Sequence, residues 1–160
     1  LHFSRGLLTR LQIKGVKKAF VTVHSGLGAF REIDVEDLTK HRMDSEQMEA
    51  NEELVQTVNS AKDEGRRVCA VGTSVLRAIA TADSMGGHMK TYDGWTNKFI
   101  FPPYDFSVAS SLVTNFHMPY STMLMMVAAF GGYDLVMKAY KTAVEEGYRF
   151  GCYGDAMLII

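Results

Sequence analysis

The segment Leu112-Val113-Thr114-Asn115-Phe116-His117-Met118-Pro119-Tyr120-Ser121-Thr122 constrains the fold more than any other part of the chain. A continuous apolar run ends in a polar cluster, and a proline then opens a helical pattern. Short continuous apolar runs read as strands buried on both faces, and proline is at home in a helix only in the first turn. The segment therefore reads as strand, turn and helix. It sets Thr114, Asn115 and His117 at the mouth of the turn, where open α/β sheets gather their chemistry.

The same alternation recurs along the chain. Leu7, Leu8 and Leu11 form a helical stripe within Phe3 to Ile13, with Gly15 as its stop. Ala19 to Val23 reads as a strand, and Asp34 to Lys40 as a short helix capped by Asp34. Asn51 caps a longer helix carrying Leu54, Val55 and Val58 on one face, with Gly65 after it. Val68 to Val71 is a strand, Ser74 to Ala82 a helix, Met85 to Asp93 a loop, and Phe99 to Phe101 a short strand before Pro102-Pro103. Helices over Tyr120 to Phe130 and Tyr133 to Glu146 follow, and Met157 to Ile160 is a last strand. Strands alternating with helices predict an α/β fold: three layers, α/β/α, around a mainly parallel or mixed sheet.

With 160 residues, 47% hydrophobic and 22% charged, the chain has room for one domain with a sizeable core. Its first residue is Leu1, and the expectation is a piece of a longer protein. A net charge of -1 gives no global basic field for nucleic acid, so any RNA contact must be local. Arg5, Arg10, Lys14, Lys17 and Lys18 read equally as a phosphate contact or a solvated face. Cys69 and Cys152 have no metal or redox spacing; Cys69 reads as a small core residue, and free thiols suit a cytoplasmic location. The longest apolar stretch, Met123 to Phe130, is too short to cross a bilayer, so no membrane partner is expected. The sequence holds no Walker loop, no zinc-ligand set, no Gly-x-Ser-x-Gly elbow and no Gly-x-Gly-x-x-Gly opening a helix.

Four junctions are candidates for chemistry. His24-Ser25-Gly26-Leu27-Gly28 follows a strand; Gly26 and Gly28 let the backbone approach a ligand, with His24 as an acid or base. Alternatively this is a glycine turn beside a hydrogen-bonded histidine. Val71-Gly72-Thr73-Ser74 leads into a helix whose free N–H groups suit an anion, with Arg77 on the same face; Thr73 or Ser74 is otherwise an ordinary N-cap. Asn115 and His117 form the third junction, read either as ligand groups or as partners for turn backbone. Tyr153-Gly154-Asp155 is the fourth. Asp155 joins the other three only if the last strand runs antiparallel, and the sequence leaves that direction open. His41-Arg42-Met43-Asp44-Ser45-Glu46 reads as a solvated loop.

Taken in order, several motifs resemble one family. They are Leu1-His2-Phe3, Val23-His24-Ser25-Gly26-Leu27-Gly28-Ala29-Phe30-Arg31, His41-x-Met43-x-Ser45-Glu46, Ala70-Val71-Gly72-Thr73-Ser74-Val75-Leu76-Arg77 and Gly94-Trp95-Thr96. Thr114-Asn115-Phe116-His117-Met118-Pro119-x-Ser121-Thr122, Tyr148-Arg149-Phe150 and Tyr153-Gly154-Asp155-Ala156-Met157-Leu158 complete the set. Together they resemble the S-adenosylmethionine:tRNA ribosyltransferase-isomerases of queuosine biosynthesis. Two positions depart from the family's habit: Asp44 where histidine is common, and Ser25 where valine is common.

The resemblance implies an enzyme acting on tRNA that carries 7-aminomethyl-7-deazaguanine at the wobble position. The ribosyl part of S-adenosylmethionine would be transferred and isomerised to give epoxyqueuosine, releasing adenine and methionine. S-adenosylmethionine is then a consumed substrate, with no further cofactor and no metal expected. The resemblance also implies a longer protein with an inserted β-barrel domain, absent here. His117, His24 and Asp155 become candidates for the base that removes a proton beside the sulfonium. Gly26, Gly28, Gly72, Thr73, Ser74 and Arg77 become candidates for substrate binding, with Asn115 and Asp155 as acceptors for its ammonium and ribose hydroxyls. Phe116, Phe30 or Tyr153 would stack adenine, and Trp95 and Arg149 would meet RNA. The competing expectations are a non-catalytic tRNA-binding fragment and an S-adenosylmethionine-dependent methyltransferase.

Overall fold

The computed structural model describes residues 2–84 and 86–160, and all side chains among them except those of Ala29 and Phe30. The expectations resting on Leu1, Met85 and the Phe30 ring therefore lie outside the described residues. The fold is α/β with mixed pairing. Its strands form two three-stranded sheets.

In the first sheet β1 (Thr22–His24), β2 (Glu46–Ala50) and β4 (Tyr92–Thr96) lie in the order β1-β2-β4, and both pairings are antiparallel. In the second, β3 (Cys69–Val71) runs parallel to β5 (Ser111–Asn115), and β6 (Ala156–Ile159) runs antiparallel to β5. Asn115 faces Ala156 in that register, so Asp155 joins the same edge as the ends of β3 and β5.

Helix α3 (Thr73–Ala82) packs against all of β1 to β5 and buries seven of its residues. Its composition fits that place: Leu76, Ala78, Ile79, Ala80 and Ala82 leave it apolar nearly all round. Helix α2 (Glu52–Asp63) starts where the sequence places it, with the Asn51 side chain accepting the Leu54 N–H at 2.9 Å and Leu54, Val55 and Val58 buried. Helices α4 (Thr122–Gly131) and α5 (Tyr133–Glu145) pack on each other, while α1 (Arg5–Ile13), capped by Ser4, buries no residue. Met48, Leu76, Ile100, Leu112 and Val127 are the largest fully buried side chains. Among the described residues no single helix is long and apolar enough to cross a membrane.

Several local expectations are corrected. The polar run ending at Glu46 leads into strand β2, which alternates buried Glu46, Met48 and Ala50 with exposed Gln47 and Glu49. Part of the expected loop before Trp95 is strand β4, held by pairing with β2. Phe99 to Phe101 is not a strand; the Phe99 ring packs on His41 at a centroid distance of 4.7 Å and on Phe101 at 5.0 Å. Asp34 to Lys40 keeps only a 3-10 turn, Leu38–Lys40, capped by Asp37. Cys69 is exposed, because β3 is an edge strand and one of its faces is uncovered.

Candidate functional site

The carboxyl ends of β3 and β5 and the start of β6 meet at one edge of the second sheet. The Gly72 N–H donates to Val113 O at 2.8 Å, continuing the β3–β5 ladder past the end of β3. Gly72 has φ +100°, a conformation that side-chain-bearing residues rarely adopt, and from it α3 begins with no side-chain cap. Neither Thr73 nor Ser74 caps the helix, contrary to expectation: Thr73 is already helical and buried, and Gly72 occupies the cap position. The first N–H groups of α3 therefore have no side-chain acceptor from the cap.

His117 lies in the turn after β5, half-buried. Its Nε2 pairs with Thr114 Oγ1 at 2.8 Å, and its backbone N–H donates to the buried Tyr140 hydroxyl at 2.9 Å. Burial pushes the imidazole down from its ordinary value to about 4, so it is neutral at physiological pH. Tyr140, a core residue of α5, is a positioning group that the sequence does not mark. It reads there as one more member of an apolar helix face.

Asn115 donates from Nδ2 to the carbonyls of Gly154 and Asp155, both at 3.2 Å, and His2 Nε2 meets the Gly154 carbonyl at 2.9 Å. Asp155 accepts the Arg149 N–H at 2.8 Å and lies 3.8 Å from the Arg149 guanidinium, so its carboxylate closes the 149–155 turn. Arg149 is exposed apart from this pairing.

Phe116 corrects an expectation. It is 4% exposed and packs on Tyr140, Tyr148 and Phe150 with centroids 5.2 to 5.7 Å apart, so neither face is open to adenine. The cause is strand alternation carried one residue past β5, which turns Phe116 inward with Leu112 and Thr114. Arg77 is corrected as well. It shares the core-facing side of α3 with Thr73, is 3% exposed, and forms an ion pair with Glu46, which satisfies its charge inside the protein. Sequence reading missed Glu46, although its buried slot in the Glu46, Met48, Ala50 alternation is a usable signal.

His24 belongs to a different constellation. It ends β1 exposed, faces Gln47 across the ladder, and Gln47 faces Trp95, so the three form a row on the outer face of the first sheet. Trp95 is 65% exposed there. The segment after His24 nonetheless reaches the β5–α4 turn: the Gly26 N–H donates to Glu46 Oε1 at 2.8 Å, and the Ile33 N–H donates to Tyr120 O at 2.8 Å. Gly28 is buried against the Asp44 side chain, where a Cβ has no room. A cleft of about 320 Å³ lined by Tyr104, Phe106, Phe130, Leu135 and Ile159 lies at the opposite end of the second sheet, away from these groups. Among the described residues no cluster of His, Cys, Asp or Glu is arranged to hold a metal ion.

Comparison with known proteins adds a family to this geometry. The sequence profile of a family described as queuosine biosynthesis protein matches residues 1–159. Proteins named S-adenosylmethionine:tRNA ribosyltransferase-isomerase from Parabacteroides distasonis and Phocaeicola vulgatus are 70% and 69% identical over 160 residues. One of the same name from Flavobacterium psychrophilum is 54% identical. Each alignment covers 100% of this chain and 46% of the relative, so the chain spans about half the length of the curated relatives it matches. The crystal structure of S-adenosylmethionine tRNA ribosyltransferase from Thermotoga maritima superposes with a TM-score of 0.82 at 39% identity, covering 99% of this chain and 50% of that one.

Proposed function

The chain belongs to the queuosine biosynthesis protein family, and from that premise we propose that it serves a tRNA-modifying ribosyltransferase-isomerase. In this reading the protein consumes S-adenosylmethionine as a substrate and needs no other cofactor. The ribosyl group is transferred to 7-aminomethyl-7-deazaguanine at the tRNA wobble position and rearranged to epoxyqueuosine, with loss of adenine and methionine. The observation that carries it is the match along 160 residues to relatives bearing that name.

The edge where β3, β5 and β6 meet is the proposed S-adenosylmethionine site. The sulfonium acidifies the neighbouring ribose carbon, and a base must take its proton. His117 is the base this reading favours. Burial holds its imidazole near pKa 4, so a ring nitrogen is unprotonated at neutral pH. The same burial makes it a weak base, which suits only a carbon already acidified by an adjacent cation. The uncapped start of α3 offers the backbone N–H groups of Thr73 and Ser74 to the substrate's carboxylate, and Gly72, whose own N–H stays in the β3–β5 ladder, supplies the turn that aims them. Asn115 spends its amide nitrogen on the Gly154 and Asp155 carbonyls, which leaves its carbonyl oxygen as the acceptor. Asp155 shapes the facing turn in preference to acting as the base, since its oxygens are engaged with Arg149. Gly26 and Gly28 carry the strap that runs toward Tyr120. We read Trp95 and the exposed Arg149 as the RNA contacts, Trp95 by stacking on an unpaired base, and His24, exposed in one row with Trp95, as their neighbour in place of a catalytic base.

In the full-length protein, His117→Ala should lower adenine release from S-adenosylmethionine by about 10²-fold or more, with the far-ultraviolet circular dichroism spectrum unchanged. Turnover equal to wild type removes His117 from the mechanism.

A further inference from the structure

Glu46 opens β2 with its side chain turned inward, 3% exposed. A carboxylate in such a place is costly unless its oxygens are answered. Oε1 accepts the Gly26 N–H at 2.8 Å, and Oε2 faces the Arg77 guanidinium, itself 4% exposed. Gly26 lies in the glycine segment after β1, whereas Arg77 stands one turn inside α3, beyond its uncapped start at Gly72. One buried carboxylate thus ties two segments that the sequence separates widely.

A buried ion pair seldom adds stability over a well-packed apolar pair of the same volume. The segment it holds supplies another reason for it. Residues 25–33 are fixed at one end by Glu46 and at the other by the hydrogen bond from Ile33 to Tyr120 and the bridge between Glu32 and Ser121. Between these ties the chain makes the short 3-10 turn Leu27–Phe30, with Gly28 packed on the Asp44 side chain, Arg31 paired with the Asp44 carboxylate at 3.4 Å, and Leu27 88% exposed. Its far end lands three residues after His117, on Tyr120, whose φ of +58° is the one positive value at a non-glycine residue among those described. The strap therefore runs from the start of β2 to the turn that carries His117.

We propose that Glu46 is a positioning residue. Through Gly26 and Arg77 it fixes the glycine strap relative to the start of α3, and so sets the opening between the strap and the β5–α4 turn through which S-adenosylmethionine reaches His117. The proposal rests on the reading of that edge as the S-adenosylmethionine site.

Two double variants of the full-length protein, E46Q/R77M and E46L/R77M, separate the tie from the charge. Both remove the ion pair together, so neither strands a buried charge. Glutamine still offers an oxygen to the Gly26 N–H, and leucine does not. Amide exchange over residues 24–30 should accelerate about tenfold or more in E46L/R77M, and KM for S-adenosylmethionine should rise about tenfold or more, kcat changing less. E46Q/R77M keeps the tie to Gly26 and loses only the one to α3, so both quantities should lie between those of wild type and E46L/R77M. Equal exchange and equal KM in the two variants overturn the proposal. Should E46L/R77M not fold, Gly26→Pro removes the same donor: its Cβ meets nothing within 4 Å, and its ring carbon takes the place of the hydrogen that Glu46 Oε1 accepts. A KM within about twofold of wild type in that variant likewise overturns the proposal, since a lost positioning contact is expected to cost more. If the wild-type protein releases no adenine from S-adenosylmethionine, the functional reading fails, while the exchange contrast still tests the tie.

Discussion

The β3–α3 and β5–α4 junctions stand side by side and solve one geometric problem in opposite ways. The first uses a single residue, Gly72, at φ +100°, and leaves the helix start without a side-chain cap. The second runs from Phe116 to Ser121 and spends its polar groups on itself. Ser121 Oγ accepts the Leu124 N–H at 3.1 Å and donates to Met118 O at 2.7 Å, while His117 is pinned by Thr114 and Tyr140. A helix whose first N–H groups lack a cap has donors to offer a ligand. A capped helix has spent one of them, and its chemistry must come from side chains on the turn. The first junction is thus defined by backbone and the second by side chains.

The largest effect that tests this contrast is the acid response of His117. Its pKa falls from an ordinary 6.5 to about 4 on folding, so below pH 6.5 the unfolded chain takes up a proton that the folded chain refuses. Stability should drop as the pH falls from 6.5 toward 4, by on the order of 2–3 kcal/mol. Denaturant titrations at pH 7, 5.5 and 4 check this, and His117→Gln should flatten the profile. An equal slope in the variant means that the imidazole is not buried as described. His88 runs the other way: its hydrogen bond to Asp63 at 2.7 Å raises its pKa, so its contribution is present below pH 6.5 and lost as the pH rises through the raised value.

Next in size is Gly72→Ala. Nothing lies within 4 Å of an added Cβ, so only the backbone conformation opposes the change. The cost should be about 1–3 kcal/mol in denaturant unfolding. A neutral result would mean that this junction does not depend on glycine and would erase the distinction.

The smallest effect has the opposite sign. Tyr120 sits at φ +58° and is 69% exposed, so Tyr120→Gly relieves a left-handed conformation at little loss of packing. Set against the extra freedom of glycine in the unfolded chain, the net gain should be about 0.5 kcal/mol. A loss of stability on calorimetric unfolding would show that the ring, not the backbone, shapes the second junction.

Much of this site edge is legible in the residues. Leu112 to Asn115 reads as a strand because apolar Leu112 and Val113 run into β-branched Thr114 just before a polar turn. Asn51 marks α2 because its side chain has an orphan N–H to satisfy. What does not read is whatever depends on a partner. Tyr92-Asp93-Gly94-Trp95-Thr96 has a glycine at its centre and becomes a strand through its pairing with β2. Glu46 looks like part of a solvated loop because a carboxylate usually is, and only the Arg77 guanidinium across the core makes its burial tolerable. The uncovered face of β3 that Cys69 shares with Val71 likewise exposes Cys69, which composition alone would bury.

Local rules settle where strands stop and helices start, because caps, glycine turns and apolar periodicity act over a few residues. On those grounds the sequence alone determined the α/β class, the β5–α4 turn and the candidates upon it. Tertiary structure alone decided that β6 runs antiparallel and brings Asp155 to the edge of Asn115, that Phe116 turns inward, and that Arg77 pairs with Glu46. Each of these depends on which distant segment packs alongside, and the desolvation of a charge or a ring depends on that neighbour.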